Sequence, residues 1–255
     1  STSENQFALN LVENLQKQIP RTFNMRVFQK KFDKKLTMTT VLEHEIVLYN
    51  NLISVISESL KRMEKGLKGL ILIDDFLESF NHSLLANKIP SYWLANSFPS
   101  ILSLNSYMND LNRRVNFLNE WINNGKEPNK IFLGGFFHPE EFLTAVLQVF
   151  ARKHKVPFDS LKWKTTAVSS KEADNNILDE GVYIEGLMLE GAKWDSVESR
   201  LIECGEKDLT NELPIMKLVP TQEKCPYDLN KMYECPVFRT QNRGTGALDL
   251  PNYII

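Results

Sequence analysis

The residues whose type and spacing invite a chemical role are four histidines, three cysteines, two doublets of like carboxylates and a glycine doublet. His44, His82, His138 and His154 are scattered and include no His-Glu-x-x-His pair, the helical spacing that puts two imidazoles on one metal. Cys204, Cys225 and Cys235 lack a Cys-x-x-Cys step, so a zinc site made from them and one histidine matches no common ligand spacing. Their odd number fits reduced thiols in an intracellular setting better than a disulfide scaffold. Asp74-Asp75 and Glu140-Glu141 are sequence neighbours, and on a helix such pairs splay apart, which makes them solvated groups. Gly134-Gly135 precedes a helical pattern and would offer N–H groups to an anion. Yet Glu140 and Glu141 occupy the first turn of that helix and would repel a phosphate. No Gly-x-x-x-x-Gly-Lys-Ser/Thr run supplies the lysine and hydroxyl of a phosphate loop. A tight structural turn is the expectation at Gly134-Gly135, and Gly244-Thr-Gly246 is a weaker signal of the same kind. No Gly-x-Ser-x-Gly elbow is present. The spacing therefore predicts no catalytic, cofactor-binding or metal-binding residue.

The elements that would hold such groups are easier to read. From 39 to 67 apolar residues fall at Leu42, Ile46, Tyr49, Ile53, Ile56, Leu60, Met63 and Leu67, alternate steps of four and three that keep one stripe on one side of a long helix. Thr39 or Thr40 would cap it, with Glu43 completing a capping box. The stripe suits either an intermolecular coiled coil or a face packed within the chain. A second helix is expected over 70–86, with Ile73, Phe76, Leu77, Phe80 and Leu84 buried. Pro90 and Pro99 bracket an aromatic connector containing Tyr92, Trp93 and Phe98. A third helix over 106–123 uses Met108, Leu111, Val115, Leu118 and Ile122 and stops at Asn124-Gly125. Lys130-Ile-Phe-Leu133 is a short strand. The helix after it has Pro139 in its first turn, Glu140 and Glu141 at its positive end, Arg152, Lys153 and Lys155 at its negative end, and Pro157 as its stop. The basic cluster Arg26, Lys30, Lys31, Lys34 and Lys35 reads as a solvated, loosely structured segment.

Beyond Pro157 the period changes to alternation. Strands are expected over 161–168, 182–189, 215–219 and 234–239, with one short helix near 196–203. The richest stretch, 181–195, interleaves Tyr183 and Met188 with Val182, Ile184, Leu187 and Leu189 among glycines, and Trp194 closes it. It brings backbone and apolar surface without a nucleophile, base or metal ligand, which marks it as a packing signature. Helices first and strands after predict an α+β fold: an N-terminal multi-helix bundle followed by an antiparallel β-barrel-like sheet with a short inserted helix. The corresponding domains are a helical portion over 1–128 and a strand-rich portion over 129–255.

Composition sets outer bounds. The 255 residues can bury a substantial core, and 42% hydrophobic with 24% charged residues is ordinary for a globular protein. A net charge of −2 argues against a nucleic-acid partner. No apolar run approaches the roughly 20 residues of a membrane span, and the start lacks the pattern of a secretory signal. The absence of an initiating methionine and the strand-like last residues, Asn252-Tyr-Ile-Ile255, suggest a piece of something longer.

Several runs, in order from about Ile19 onward, resemble the C-terminal region of dynein heavy chains. They are Leu67-Lys-Gly-Leu70, Pro90-Ser-Tyr-Trp93, Phe117-Leu-Asn-Glu-Trp-Ile122, Leu133-Gly-Gly-Phe-Phe-His-Pro139, Phe142-Leu-Thr-Ala-Val-Leu-Gln148 and Ala151-Arg-Lys153. The stretch 181–195 follows, then Leu213-Pro-Ile-Met216 and Cys235-Pro-Val-Phe-Arg-Thr240 with Arg243-Gly244. Phe142 to Gln148 with Ala151-Arg-Lys153 looks axonemal. The resemblance implies a segment lying across one face of a ring of six AAA+ modules that hydrolyses ATP, built as a helical portion followed by a β-barrel-like portion. Its first helices would belong to the small subdomain of the last module. The nucleotide-binding residues and the microtubule-binding stalk of that family lie upstream and match no position here, so no ATP, Mg²⁺ or other cofactor is expected in this fragment. The implied partners are the ring of the same heavy chain and, through the parent, microtubules and other dynein subunits, without nucleic acid or membrane. The implied location is the axoneme of a cilium or flagellum, within the cytoskeleton on the cytoplasmic side. The family continues through further strands after Arg243-Gly244, which implies an incomplete barrel with an open sheet edge. Two other readings stay open: a free-standing helical scaffold or adaptor using the heptad stripe, and an enzyme with a dispersed site near Gly134-Gly135.

Overall fold

The computed structural model describes residues 2–205 and 210–223, together with the backbone of 234–236 and 252–254. Helices dominate its first half: α1 (Thr2–Gln18), α2 (Met25–Lys31), α3 (Thr37–Leu67), α4 (Asp75–Leu85), α5 (Ser91–Leu94) and α6 (Leu104–Asn124). After β1 (Lys130–Phe132) and α7 (Pro139–His154) come β2 (Lys162–Val168), α8 (Ser170–Asn175), β3 (Val182–Glu185), β4 (Met188–Glu190) and β5 (Ala192–Asp195). The described strands end with β6 (Arg200–Glu203), β7 (Thr210–Glu212), β8 (Ile215–Thr221), β9 (Glu234–Pro236) and β10 (Asn252–Ile254). The architecture is α+β, as the change of period predicts. The backbone divides into two compact units, Ser1–Asp33 with Leu42–Asn123 and Lys34–Val41 with Asn124–Ile255.

In the first unit the stripe of α3 is core. Leu42, Ile46, Tyr49, Ile53, Ile56, Leu60 and Met63 are each at most 3% exposed. Full burial of each such side chain stabilises by roughly 1.5–3 kcal/mol. On α6, Tyr107, Met108, Leu111, Val115, Leu118, Trp121 and Ile122 are buried with the same period. The aromatic connector closes the core: Phe98 stacks on Tyr107 at 5.4 Å, Trp93 lies 6.4 Å from Tyr107, and the Trp93 indole N–H donates to Ser59 Oγ at 2.8 Å. That bond satisfies a donor that burial would otherwise strand.

The helix ends follow local chemistry, and here the structure corrects several expectations. α3 begins two residues before Thr39, and the Thr39 and Thr40 N–H groups bond the Leu36 carbonyl, so neither threonine is the cap. It ends in a Schellman turn: Gly69, at φ 70°, donates to Gly66 O and Leu70 to Lys65 O. α4 starts at Asp75 rather than near residue 70, because the Asp74 carboxylate accepts from the Leu77 N–H and fixes the boundary. Ile73 therefore lies outside the helix and is exposed. The basic segment is not loose. Asn24 caps α2 by accepting from the Arg26 and Val27 N–H groups, and Lys31 Nζ donates to the carbonyls of Ile122 and Asn123 at the end of α6. α1, with Ala8, Val12 and Leu15 buried, is an additional helix.

The second unit is organised by a four-stranded sheet in the order β1-β3-β8-β2. β8 runs antiparallel to both β3 and β2, whereas β1 joins β3 in parallel, Lys130 opposite Tyr183. β8 alternates, with Met216, Leu218 and Pro220 buried. Two-stranded ribbons β4–β7, β5–β6 and β9–β10 complete the described strands, which form an open sheet with ribbons. The run 182–189 is two strands, broken where Gly186 takes φ 75°. No helix forms at 196–203. The Asp195 carboxylate accepts from the Val197 and Glu198 N–H groups, folding a tight loop that β6 leaves to pair with β5. The short helix sits instead at α8, where Ser169 Oγ accepts from the Glu172 N–H. Of the strand expected over 234–239, Glu234–Pro236 is described and 237–239 lie outside the described residues, as do Gly244-Thr-Gly246 and Arg243-Gly244.

Candidate functional site

Gly134-Gly135 forms a turn and not the N-terminus of a helix. Leu133–Gly135 is a single 3₁₀ turn, closed by the Phe136 N–H on Leu133 O, and Gly135 is buried. A Cβ on Gly134 would meet the Phe132 ring at 3.2 Å, so this glycine admits an aromatic neighbour. α7 opens later, with Pro139 in its first turn and His138 as its cap residue, and the His138 imidazole lies 3.3 Å from Glu140. The acidic start and basic end of α7 stand as the sequence predicts. Its C-terminus turns through Lys155 at φ 54°, a left-handed position where glycine is usual.

Several of the remaining sequence-marked groups have structural contacts. His154 stacks on Phe150 at 4.3 Å, and its Nε2 meets the Glu180 carboxylate at 2.5 Å. Glu180 also pairs with Lys153 at 2.7 Å. Lys153 first and His154 next hold the Glu180 carboxyl below its usual pKa. Asp74 caps α4 and pairs with Arg62 at 2.5 Å, so one member of that doublet has a fixed role. Cys204 is a free, half-buried thiol, while the Cys225 and Cys235 side chains lie outside the described residues. Among the described residues no three of His, Cys, Asp and Glu gather at metal-ligand distance.

Two polar features were not legible as sites. In the first unit Arg114 sits in the core, paired with Asp110 at 2.8 Å and with its guanidinium 3.7 Å from the Phe98 ring centroid. It also bonds the hydroxyl of Tyr49, whose pKa burial pushes well above the phenol range, while burial pushes Tyr107 up to about 12. This network locks α3 against α6. In the second unit Glu127, in the turn Asn124-Gly-Lys-Glu-Pro128, is reachable by solvent yet hemmed in by protein. Burial raises its pKa to about 7, and no neighbouring cation offsets the rise. A lone glutamate in a polar turn carries no sequence signal for this, because the surrounding wall comes from distant segments.

Surface apolar residues concentrate in one loop of the first unit. Leu70, Ile71, Leu72 and Ile73 lie consecutively between α3 and α4, all exposed, Leu72 at 93% and Leu70 at 70%. A contiguous run of this kind is unusual on a surface that meets only water.

Residues 1–255 match the C-terminal domain of the dynein heavy chain. The sequence is 36% identical over 245 residues to dynein axonemal heavy chain 12 of Homo sapiens, covering 95% of this chain and 8% of that protein. It is 35% identical over 235 residues to dynein axonemal heavy chain 3 of Mus musculus, covering 91% of this chain and 6% of the relative. With the ciliary dynein beta chain of Tripneustes gratilla it shares 32% identity over 238 residues, 92% of this chain and 5% of the relative. The fold, helical first and strand-rich after, and the match along its whole length lead to one conclusion: the protein belongs to the family of C-terminal domains of dynein heavy chains.

Proposed function

We propose that this domain is a non-catalytic structural and regulatory segment of a dynein motor heavy chain. It packs on the ring of AAA+ modules of the same polypeptide and modulates ATP-driven movement along microtubules. The observation that carries the reading is the family match across every residue of a chain spanning 8% or less of the axonemal and ciliary relatives quoted above. Nucleotide, Mg²⁺ and microtubule binding are assigned to the remainder of the parent protein, along with contacts to other dynein subunits. The axonemal and ciliary names of the relatives support a place in the axoneme of a cilium or flagellum. No helix among the described residues is long and apolar enough to cross a membrane. In this reading the helical portion is 1–128, its first helices drawn from the small subdomain of the last AAA+ module, and the strand-rich portion is 129–255.

Two structural features support an adhesive role. The exposed Leu70–Ile73 run offers apolar surface to a neighbouring module, and the glycine doublet, Asp74 and His154 are committed to turns, caps and ion pairs. The alternative, a scaffold that offers its heptad stripe to a partner helix, needs a surface that the first unit already buries in its own core. Influence on the motor requires contacts that differ between two states of the ring. The test compares intact parent heavy chain with one lacking these 255 residues, reading ATP turnover and microtubule gliding velocity. A changed velocity or turnover is expected; indistinguishable motors overturn the reading.

A further inference from the structure

The second unit contains a cavity of about 880 Å³ that the motor role leaves unused. Its apolar wall is made by Leu36, Val146, Val149, Phe150, Ile177 and Leu178. Three of these, Leu36, Val149 and Ile177, are 58%, 48% and 85% exposed. Large apolar side chains gathered around one concavity mark a place where something other than water is favoured, and the volume suits a small organic molecule.

Two polar groups of the lining lack a partner among the described residues. One is the Tyr183 hydroxyl, buried without a hydrogen bond on a side chain 1% exposed. The other is the Glu127 carboxyl, which lies against the wall and whose pKa responds to burial alone. The other charged groups of the lining are placed as follows. Arg152, on α7, donates to Thr37 Oγ1 at 2.7 Å, and Lys153 pairs with Glu180 at 2.7 Å. Glu180 also meets His154, and Lys35, before α3, has an interaction of its own. Lys126 and Asp179 add one charge of each sign. None of the cations lies near enough to Glu127 to pull its pKa back down. With Lys35, Arg152, Lys153 and Glu180 engaged, the remaining charges of the lining are Glu127, Asp179 and Lys126, two negative and one positive, which disfavours an anionic ligand. A cation would give Glu127 the counter-charge that the protein withholds.

We propose that this cavity binds a small organic ammonium ion, an apolar body carrying one protonated amine that seats against Glu127. The body displaces water from the aliphatic and aromatic wall, and the ammonium donates hydrogen bonds to a carboxylate that has no ion-pair partner of its own among the described residues.

Dansylcadaverine, an apolar fluorophore on an alkyl amine, is the probe, and its N-acetyl derivative is the uncharged control. The whole protein is titrated with each while fluorescence is read. The amine is expected to bind at least roughly tenfold more tightly than the control at about pH 8, and roughly tenfold more weakly at about pH 6 than at about pH 8 as Glu127 takes up its proton. Glu127→Gln removes both differences, and Val149→Trp, which fills the mouth, weakens both probes. Circular dichroism checks that each variant folds, and the pH series on the unaltered protein stands independently of them. Equal affinity for amine and control, an affinity independent of pH, a folded Gln variant that keeps the preference, or no binding at about pH 8 each overturns the site.

Discussion

Gly181 shows how much can rest on one missing side chain. It takes φ 93°, and a Cβ there would lie 2.2 Å from the Leu218 carbonyl oxygen, which is backbone and has no rotamer into which to yield. The β3–β8 pairing depends on that approach. Gly181→Ala is expected to destabilise the second unit by more than about 3 kcal/mol. A denaturant series following the β signal would read it, and a loss below about 1 kcal/mol would show that the strands can shift. Glu127 makes the opposite kind of prediction. Its folded pKa of about 7 is above the usual carboxyl value of 4.5, so the folded protein binds the proton more tightly than the unfolded one. Stability therefore falls as pH rises from the unfolded value through the folded one and is level above it. Glu127→Gln should leave Tm almost unchanged near pH 4.5 and raise it increasingly up to about pH 8. Parallel Tm profiles for the two proteins would contradict the origin given for the shift.

At the level of elements, what the sequence shows depends on how local the cause is. The stripe of α3 and the polarity of α7 were legible because each is written in the element's own spacing and end charges. α2 and α8 were not, since a helix of seven or six residues is decided by its cap, and single Asn24 and Ser169 side chains supply that signal. In place of the helix expected near 196–203 there is a tight loop at 196–199 followed by β6, because the Asp195 carboxylate accepts from two N–H groups of the turn, a contact that residue spacing does not reveal. The break at Gly186 was visible as a glycine, but its positive φ is set by pairing partners far along the chain. The environment of Glu127 had no local trace at all. One element-level change follows from the left-handed Lys155. Lys155→Gly is expected to stabilise by up to about 1 kcal/mol, because glycine takes that conformation without strain. Thermal unfolding reads it, and a lower Tm would mean that the lysine stem and ammonium contribute more than their backbone conformation costs.

For the whole molecule the question is what the exposed surface meets. Leu70→Asp with Leu72→Asp replaces side chains already in solvent, so the isolated domain should keep its stability within about 0.5 kcal/mol. In a parent heavy chain the same pair is expected to change gliding velocity in the direction that removal of the domain does. Unaltered motility alongside a clear effect of removal would move the docking surface elsewhere without touching the broader reading.

The placement of β8 has a temporal consequence. It is the last strand of the four-stranded sheet in sequence and yet lies between β3 and β2, so these two acquire their common neighbour only once the polypeptide reaches Thr221. During synthesis the stripe of α3 can collapse onto neighbouring helices long before that point, whereas β2 must wait for a long loop to close before it meets its mate. A nascent polypeptide stalled ahead of Ile215 would thus carry a finished helical half and a sheet with bare backbone edges, the state in which a chaperone has most to do.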